Sequence, residues 1–461
     1  MKKITDGKIP VYCWSDPIEA EAMGQALNVA NHPRARIHFS VMPDGHSGYG
    51  MPIGGVAALH NAISPYMVGN DIACSMLAVR LPWTIDQFMD MRVRKLIHDE
   101  IKKRVPTGFM HNSDHNSVME YGVADLILSM GGFWGLDSGI VSRESIANQL
   151  GTLGGGNHFA ELQADQSNRM WVMIHCGSRG IGSNICTKYN KLAVQETGHL
   201  VSDKNLSFFD FDSDIGQEYF RHMLFCMEFS RQNKLVIHAR IFDAITAVLG
   251  KPRVEVEHNE DTHVHVFHNF ASVETHFGEE VVVHRKGATP AGVGVMGIIP
   301  GNMGSSSYIV RGLGNPDSFS SCSHGAGRSM SRSKACDSIT LSSVNQRMAG
   351  IYFDSCKEII DESPDAYKNI KSVMEAQTIG DDALVEIVHE LRPLINVKDT
   401  SKKREKGVKN KDRTCPSGHL FGTDFDLYKD CKPSFCSESS RNACRHRMKC
   451  IVLKKTEKDN D

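Results

Sequence analysis

Apolar and polar residues alternate over several short stretches of this chain. Strand-type runs fall at 37–41, 55–59, 170–175, 263–268, 280–284 and 293–299. His263-Val264-His265-Val266-Phe267 shows the two-residue period most plainly, and such alternation marks a strand. A different period appears at Ile85, Phe88, Met89, Leu96, Ile97 and Ile101. That spacing predicts a helix capped by Thr84 and running toward Val105, where Pro106 ends it. A longer helical pattern extends from about Gln217 to Leu249, stopped by Gly250 and Pro252. Glycines cluster at 45–55, 151–156, 287–304 and 312–327, between these elements. No internal repeat is evident. The pattern predicts a mixed helix-and-strand chain.

Composition narrows this only mildly. A chain of 461 residues can bury a large core, as one big domain or two. The formal net charge of −2 excludes a global basic field, so a nucleic-acid site would have to be a local patch. The first residues are charged and polar, which argues against a secretory signal. No apolar stretch approaches the ~18 residues of a membrane span. The thirteen cysteines are odd in number, and those before residue 400 are scattered singly. That usage suits a reducing cytoplasm better than a disulfide framework.

Candidate chemistry changes the picture more. The run Ser323-His324-Gly325-Ala326-Gly327-Arg328 sets one imidazole beside flexible glycines and a fixed cation. Glycines let backbone N–H groups converge on an anion, and arginine holds phosphate oxygens in a planar fork. A histidine so placed can attack phosphorus and carry it covalently. Taken alone, such a histidine is more often a turn residue. Its company is unusual, however. Asp71 and Cys74 share one short loop, and Asn157-His158 follows Gly151-Thr152-Leu153-Gly154-Gly155-Gly156. His175, His268 and His284 each end a β-type segment, where side chains can converge at one sheet edge. Asp71, Cys74, His158, His175 and His268 make a mixed O/S/N donor set suited to zinc, manganese, iron or cobalt. A bridging thiolate or carboxylate can hold two metals. The scatter fits no zinc finger. Each member alone reads as a hydrogen-bonded core residue; the joint pattern points to a metal centre.

These stretches resemble the RtcB family of RNA ligases. The matching segments are Met42–Gly50, Pro52–Val56, Asp71–Cys74, Gly151–Glu161, His175–Gly180, His268-Asn269 with Glu274, His284–Thr289, Pro300–Gly304 and Ser323–Arg328 with Met330–Arg332. The resemblance runs from near the N-terminus to about Lys398. It implies an α+β, RtcB-type fold with β-sheets wrapped by helices around a central metal cleft. It also implies joining of RNA ends bearing a 2′,3′-cyclic phosphate or 3′-phosphate to 5′-hydroxyl ends, with GTP and two manganese ions. His324 matches the guanylylated nucleophile, and Asp71, Cys74, His158, His175 and His268 match the metal ligands. Asn157, Glu161, Arg328, Tyr367 and Lys398 match cofactor-binding positions, Tyr367 against guanine and Lys398 at its edge. Arg179 and Arg328 are candidate phosphate clamps. Asp44 and His46 lie in a matching segment without an assigned role. The neutral imidazole needed for attack is accessible, since an unperturbed histidine titrates near 6.5.

The chain departs from the family at one loop. Where the family usually has Asp-Ile-Gly-Cys-Gly-Met, it has Asp71-Ile72-Ala73-Cys74-Ser75-Met76. If the glycines need positive φ or close approach, Ala73 and Ser75 strain or reshape the loop. Past Lys398, where Asp399 stands in place of the family's ending, the character changes. Residues 1–398 are expected to form the catalytic domain, 399–414 a basic linker and 415–461 a small Cys-rich tail. Cys415, Cys431, Cys436, Cys444 and Cys450 crowd there among basic residues. A zinc-stabilised module gripping RNA phosphates and a flexible tail with free thiols both stay open.

Two other functions compete with ligation. A metal-dependent RNA phosphodiesterase or cyclic-phosphate hydrolase could use the same metals to activate water. A non-catalytic RNA-binding protein would have no physical need for so many buried polar groups together.

Overall fold

The computed structural model describes residues 1–112, 140–250 and 259–401. Two sheets dominate. The larger has seven strands, in the order His263–Phe267, Ser75–Thr84, Arg169–Cys176, Phe159–Ala164, Val385–Val397, Ser307–Gly312 and Met296–Ile299, all antiparallel to their neighbours. The second has six strands, in the order Lys2–Ile4, Val11–Cys13, Ala35–His46, Ile53–Leu59, Glu279–Lys286 and Asn269–His276. Only its Val11–Cys13 and Ala35–His46 pair is parallel. This is a mixed helix-and-sheet structure, as the sequence pattern predicts.

The period-2 rule explains how the larger sheet is covered. Along Ser75–Thr84, Leu77, Val79, Leu81 and Trp83 face one way, into a cluster with Ile237, Ile241 and Ile245 of the long helix and Ile97 and Ile101 of a second helix. Met76 and Ala78 face the other way, onto Trp171, Met173 and Val264. Both faces are buried at its centre.

The long helix spans Asp214–Leu249. Ser213 caps its start by accepting from Gly216 N, and Gly250 ends it in the left-handed region at φ 64°. It therefore begins three residues before the predicted Gln217. The other predicted helix starts later than expected. Thr84 and Gln87 cap each other across a short 3₁₀ turn, Ile85–Phe88, and the α-helix runs from Met91 to Arg104 behind Asp90. Two adjacent capping signals explain the difference, since Asp90 accepts from Arg92 N and starts the helix itself. The strand expected at 293–299 is shortened to Met296–Ile299, because Gly294 turns the chain at φ 77°.

One of the crossings between the sheets takes a single residue. His263–Phe267 ends in the larger sheet, and Asn269–His276 begins in the smaller one. His268 is the hinge residue between them. The basic linker beyond Ser401 and the Cys-rich tail lie outside the described residues. Among the described residues, no helix is long and apolar enough to cross a membrane.

Candidate metal centre and active site

Strand register builds the centre. Ser75 pairs with both Phe267 and Cys176, and His175 pairs with Met76 and Phe159. Four neighbouring strands therefore end together. Cys74 lies just before one, His158 just before another, His268 just after a third, and His175 is next to last in the fourth. Backbone bonds tie these ends to the loops: His268 N donates to Cys74 O at 3.0 Å, and Ala73 N to Asn269 O at 2.8 Å.

The donor atoms converge. Cys74 Sγ lies 3.1 Å from His175 Nε2 and 3.5 Å from His158 Nε2. His158 Nε2 is 3.0 Å from Asp71 Oδ2, and His175 Nε2 is 3.3 Å from His268 Nε2. They fall into two triads, Cys74–His175–His268 and Asp71–Cys74–His158, each with its donor atoms within 4.8 Å of one another. Cys74 belongs to both, the arrangement a bridging thiolate would have. Burial drives the His175 and His268 rings well below the ordinary histidine range, so both present a lone pair at pH 7. Burial, with Asp71 beside it, pushes the Cys74 thiol far up, and a cation among these donors supplies the charge that reverses this. The residues present thus fit a pair of metal ions. Gly177 makes room for Asp71: a Cβ there would sit 2.3 Å from Asp71 Oδ1.

Ala73 adopts φ 60° and is fully buried. The loop keeps the backbone that glycine would take easily, at the strain anticipated from sequence.

His324 stands beside this centre, its ring centroid 5.0 Å from that of His268. Its Nδ1 is 2.6 Å from Asp44 Oδ2. The same carboxylate oxygen accepts from His324 N at 3.1 Å and Gly325 N at 3.2 Å. Asp44 is wholly buried; burial opposes its charge, but His324 holds its carboxyl below the ordinary range. Gly327, at φ 72°, lets the loop close over it, where a Cβ would come 2.3 Å from Asp44 O. Pinning Nδ1 leaves Nε2 as the atom able to attack.

His324 lines two cavities. The larger, about 630 Å³, reaches the metal-ligand loops and is edged by His46, Lys286, Arg328 and Arg332, with Glu19 and Glu21 at its mouth. The smaller, about 270 Å³, is lined by Glu161, Tyr367, Lys398, Asn396, Pro300 and Met303. Asn157, His46, Arg328 and Arg332 line both.

A carboxylate that the sequence did not single out organises the smaller cavity. Glu362 accepts from Lys398 Nζ at 2.8 Å and from Tyr367 Oη at 2.8 Å, and pairs with Arg332 and Arg328. These cations hold its carboxyl down near 2 against the cost of burial. Arg328 also lies over the Tyr367 ring, 5.0 Å from its centroid. Glu161 has the opposite environment. Burial raises its carboxyl to about 7, although Asn396 and Gln163 donate to it at 2.5 and 2.6 Å.

One expectation is corrected. His284 does not join the other strand-ending histidines; its buried Nε2 accepts from Ser64 N at 3.0 Å in the core. Arg179 donates to Thr152 Oγ1 at 3.1 Å and Gly108 O at 2.9 Å, bracing the glycine-rich loop, and its role toward phosphate stays an expectation. Glu274 pairs with Arg285 and His276, apart from the cavities.

A double-sheet fold that brings two donor triads beside a carboxylate-held histidine fits a metal-dependent enzyme. Residues 25–399 match the family model described as tRNA-splicing ligase RtcB, and the chain belongs to the RtcB family. It is similar to the RNA-splicing ligase RtcB of Escherichia coli K12, at 36% identity over 86% of this chain and 98% of that protein. It is also similar to the RNA-splicing ligase RtcB homolog 1 of Entamoeba dispar, at 32% identity over 81% of each chain. Similarity to the tRNA-splicing ligase RtcB of Thermococcus kodakarensis is 31% over 80% of this chain and 89% of that one.

Proposed function

We propose that this RNA ligase joins a 3′-phosphate or 2′,3′-cyclic-phosphate RNA end to a 5′-hydroxyl end through GMP carried on His324, with GTP and two manganese ions. One observation carries the reading: His324 stands on the wall between two cavities, beside five converging metal donors, with Nδ1 tied to Asp44. His324 Nε2 attacks the α-phosphorus of GTP, forming an N–P bond and releasing pyrophosphate. The RNA 3′-phosphate oxygen then takes the guanylate, breaking that bond and leaving an activated pyrophosphate end. A cyclic phosphate is first opened by water to the 3′-phosphate. The 5′-hydroxyl attacks the activated phosphorus, forming the phosphodiester and releasing GMP.

Asp44 orients the imidazole and stabilises the positive charge it gains during transfer. Asp71, Cys74, His158, His175 and His268 hold the metals, which supply charge neutralisation at phosphate when bound. Glu161, Asn157, Tyr367 and Lys398 hold the guanosine in the smaller cavity, with Arg328 toward its phosphates. The larger cavity, with its local cations, receives the RNA end. Residues 399–414 serve as a linker, and 415–461 as an accessory segment that adds grip on RNA phosphates and can take zinc.

The test is incubation with labelled GTP and manganese, then denaturing electrophoresis. Covalent label is expected in the intact chain and absent from a folded His324→Ala variant. Label retained by that variant moves the nucleophile elsewhere; no label in either favours a metal-dependent phosphodiesterase.

A further inference from the structure

Lys234 sits midway along the long helix and is completely buried. Among the described residues, no carboxylate lies within ion-pairing distance of it. Its ammonium donates to Ser75 Oγ at 2.5 Å, Ser230 O at 2.6 Å, Ser230 Oγ at 2.7 Å and, weakly, Cys176 O at 3.4 Å. An isolated buried cation is costly unless nearby negative charge offsets it. Burial lowers the Lys234 ammonium to about 8; Cys176, Cys74 and Asp71 act against that shift, and Arg231 adds to it.

Ser75 is the link. Its hydroxyl lies within hydrogen-bond reach of both the Lys234 ammonium and the turn before Cys74. A hydroxyl that accepts from an ammonium turns its own proton elsewhere. Here the available acceptors are Ser230 Oγ at 2.8 Å, Ala73 O at 3.1 Å and Cys176 O at 3.3 Å; Ser230 Oγ already accepts from Lys234 and can pass its own proton to Cys176 O at 3.4 Å, which leaves Ala73 O for Ser75. Ala73 is the residue held at φ 60° between Asp71 and Cys74. An alanine there bears a steric strain that glycine avoids. The chain lacks the residue that adopts this turn freely, and has a hydrogen-bonded anchor on it instead. The neighbouring Asn233 treats the other ligand loop in the same way, accepting from Gly151 N at 2.6 Å and donating to Thr152 O at 3.0 Å.

We propose that Lys234, acting through Ser75, is a positioning residue that fixes the Ala73–Cys74 turn and so places the thiolate shared by the two metal sites. The proposal rests on Cys74 being a metal ligand. It is tested with cobalt(II), whose thiolate charge-transfer absorption reports the Cys74 bond independently of ligation. The variants are Ser75→Ala/Lys234→Met, which removes both partners and orphans neither, and the same pair with Ala73→Gly. Ser75→Ala alone serves if the double variant does not fold.

The intact chain is expected to show the thiolate band and Cys74→Ala to lose it. The folded Ser75→Ala/Lys234→Met variant should need roughly tenfold more cobalt to reach the same band, the usual scale for residues that orient ligands. Adding Ala73→Gly should restore most of the affinity. A variant that is merely less heat-stable, with an unchanged cobalt titration, overturns the proposal, as does failure of Ala73→Gly to rescue. Absence of the band from the intact chain, or its survival in Cys74→Ala, removes the metal reading itself and the positioning role with it.

Discussion

At the scale of single residues, environment separates chemically identical groups. Glu161 and Glu362 line one cavity, yet burial lifts Glu161 to about 7 while surrounding cations hold Glu362 near 2. Glu161 therefore changes charge around neutrality. Its folded form binds a proton more tightly than the unfolded chain, so this group's contribution to stability is fully present below about 4.5 and is lost as pH rises toward 7. Guanine offers N–H donors on its pairing edge, and only the ionised carboxylate accepts from all of them. GTP affinity, measured by equilibrium titration, should thus rise with pH through about 7 in the intact chain. In Glu161→Gln it should be weaker and nearly flat across the same range. An unchanged pH profile in that variant would remove Glu161 from guanine recognition.

At the scale of elements, Glu362 joins pieces of chain that are far apart. Its partners are Arg328 and Arg332 near the histidine loop, Tyr367 five residues on, and Lys398 just beyond the last strand. Glu362→Gln leaves several cations without their counter-charge. It should cost about 3–5 kcal/mol, read by denaturant unfolding at neutral pH. The sign with pH is opposite to that of Glu161. The depressed carboxyl contributes stability above its ordinary 4.5, and that contribution disappears as pH falls toward about 2. The variant should therefore differ most from the intact chain at neutral pH and least in acid.

These elements also show what the sequence made legible. The five donors and His324 stood out because histidine, cysteine and aspartate beside glycines at strand ends are rare together. Their convergence follows from strand register, which alternation predicts well. His284 carried the same signal and was misleading, since periodicity places a residue at a strand end but does not say which way it faces there. Glu362 carried no signal at all: it is one acid among Asp361, Asp365 and other surface-type charges, and its meaning comes from partners brought by folding. The start of the helix at Met91 was obscured by two good caps in succession, Thr84 and Asp90.

At the scale of the whole molecule, the catalytic motifs all precede residue 399, and the family match ends there. The linker expected to open the stretch that follows is basic and poor in apolar residues. Removal of residues 400–461 should leave covalent GMP on His324 nearly intact. RNA affinity should fall, with a shallower dependence on salt as phosphate contacts are lost. Loss of labelling in a folded truncated chain would make the tail part of the catalytic architecture. Unchanged RNA binding at every salt concentration would assign its lysines and arginines another partner.

The shared ending of four neighbouring strands has a consequence for how such a centre can change over time. Strands lie about 4.8 Å apart because backbone hydrogen bonding sets that spacing whatever the side chains are. A centre whose donors hang from adjacent strand ends has inherited a ruler. Its dimensions resist drift, because altering them means shifting a whole strand against its neighbours. Novelty is thereby channelled into the short connections between the strands. In this chain the strained Ala73 lies in such a connection, while Ser75 opens the strand that follows Cys74.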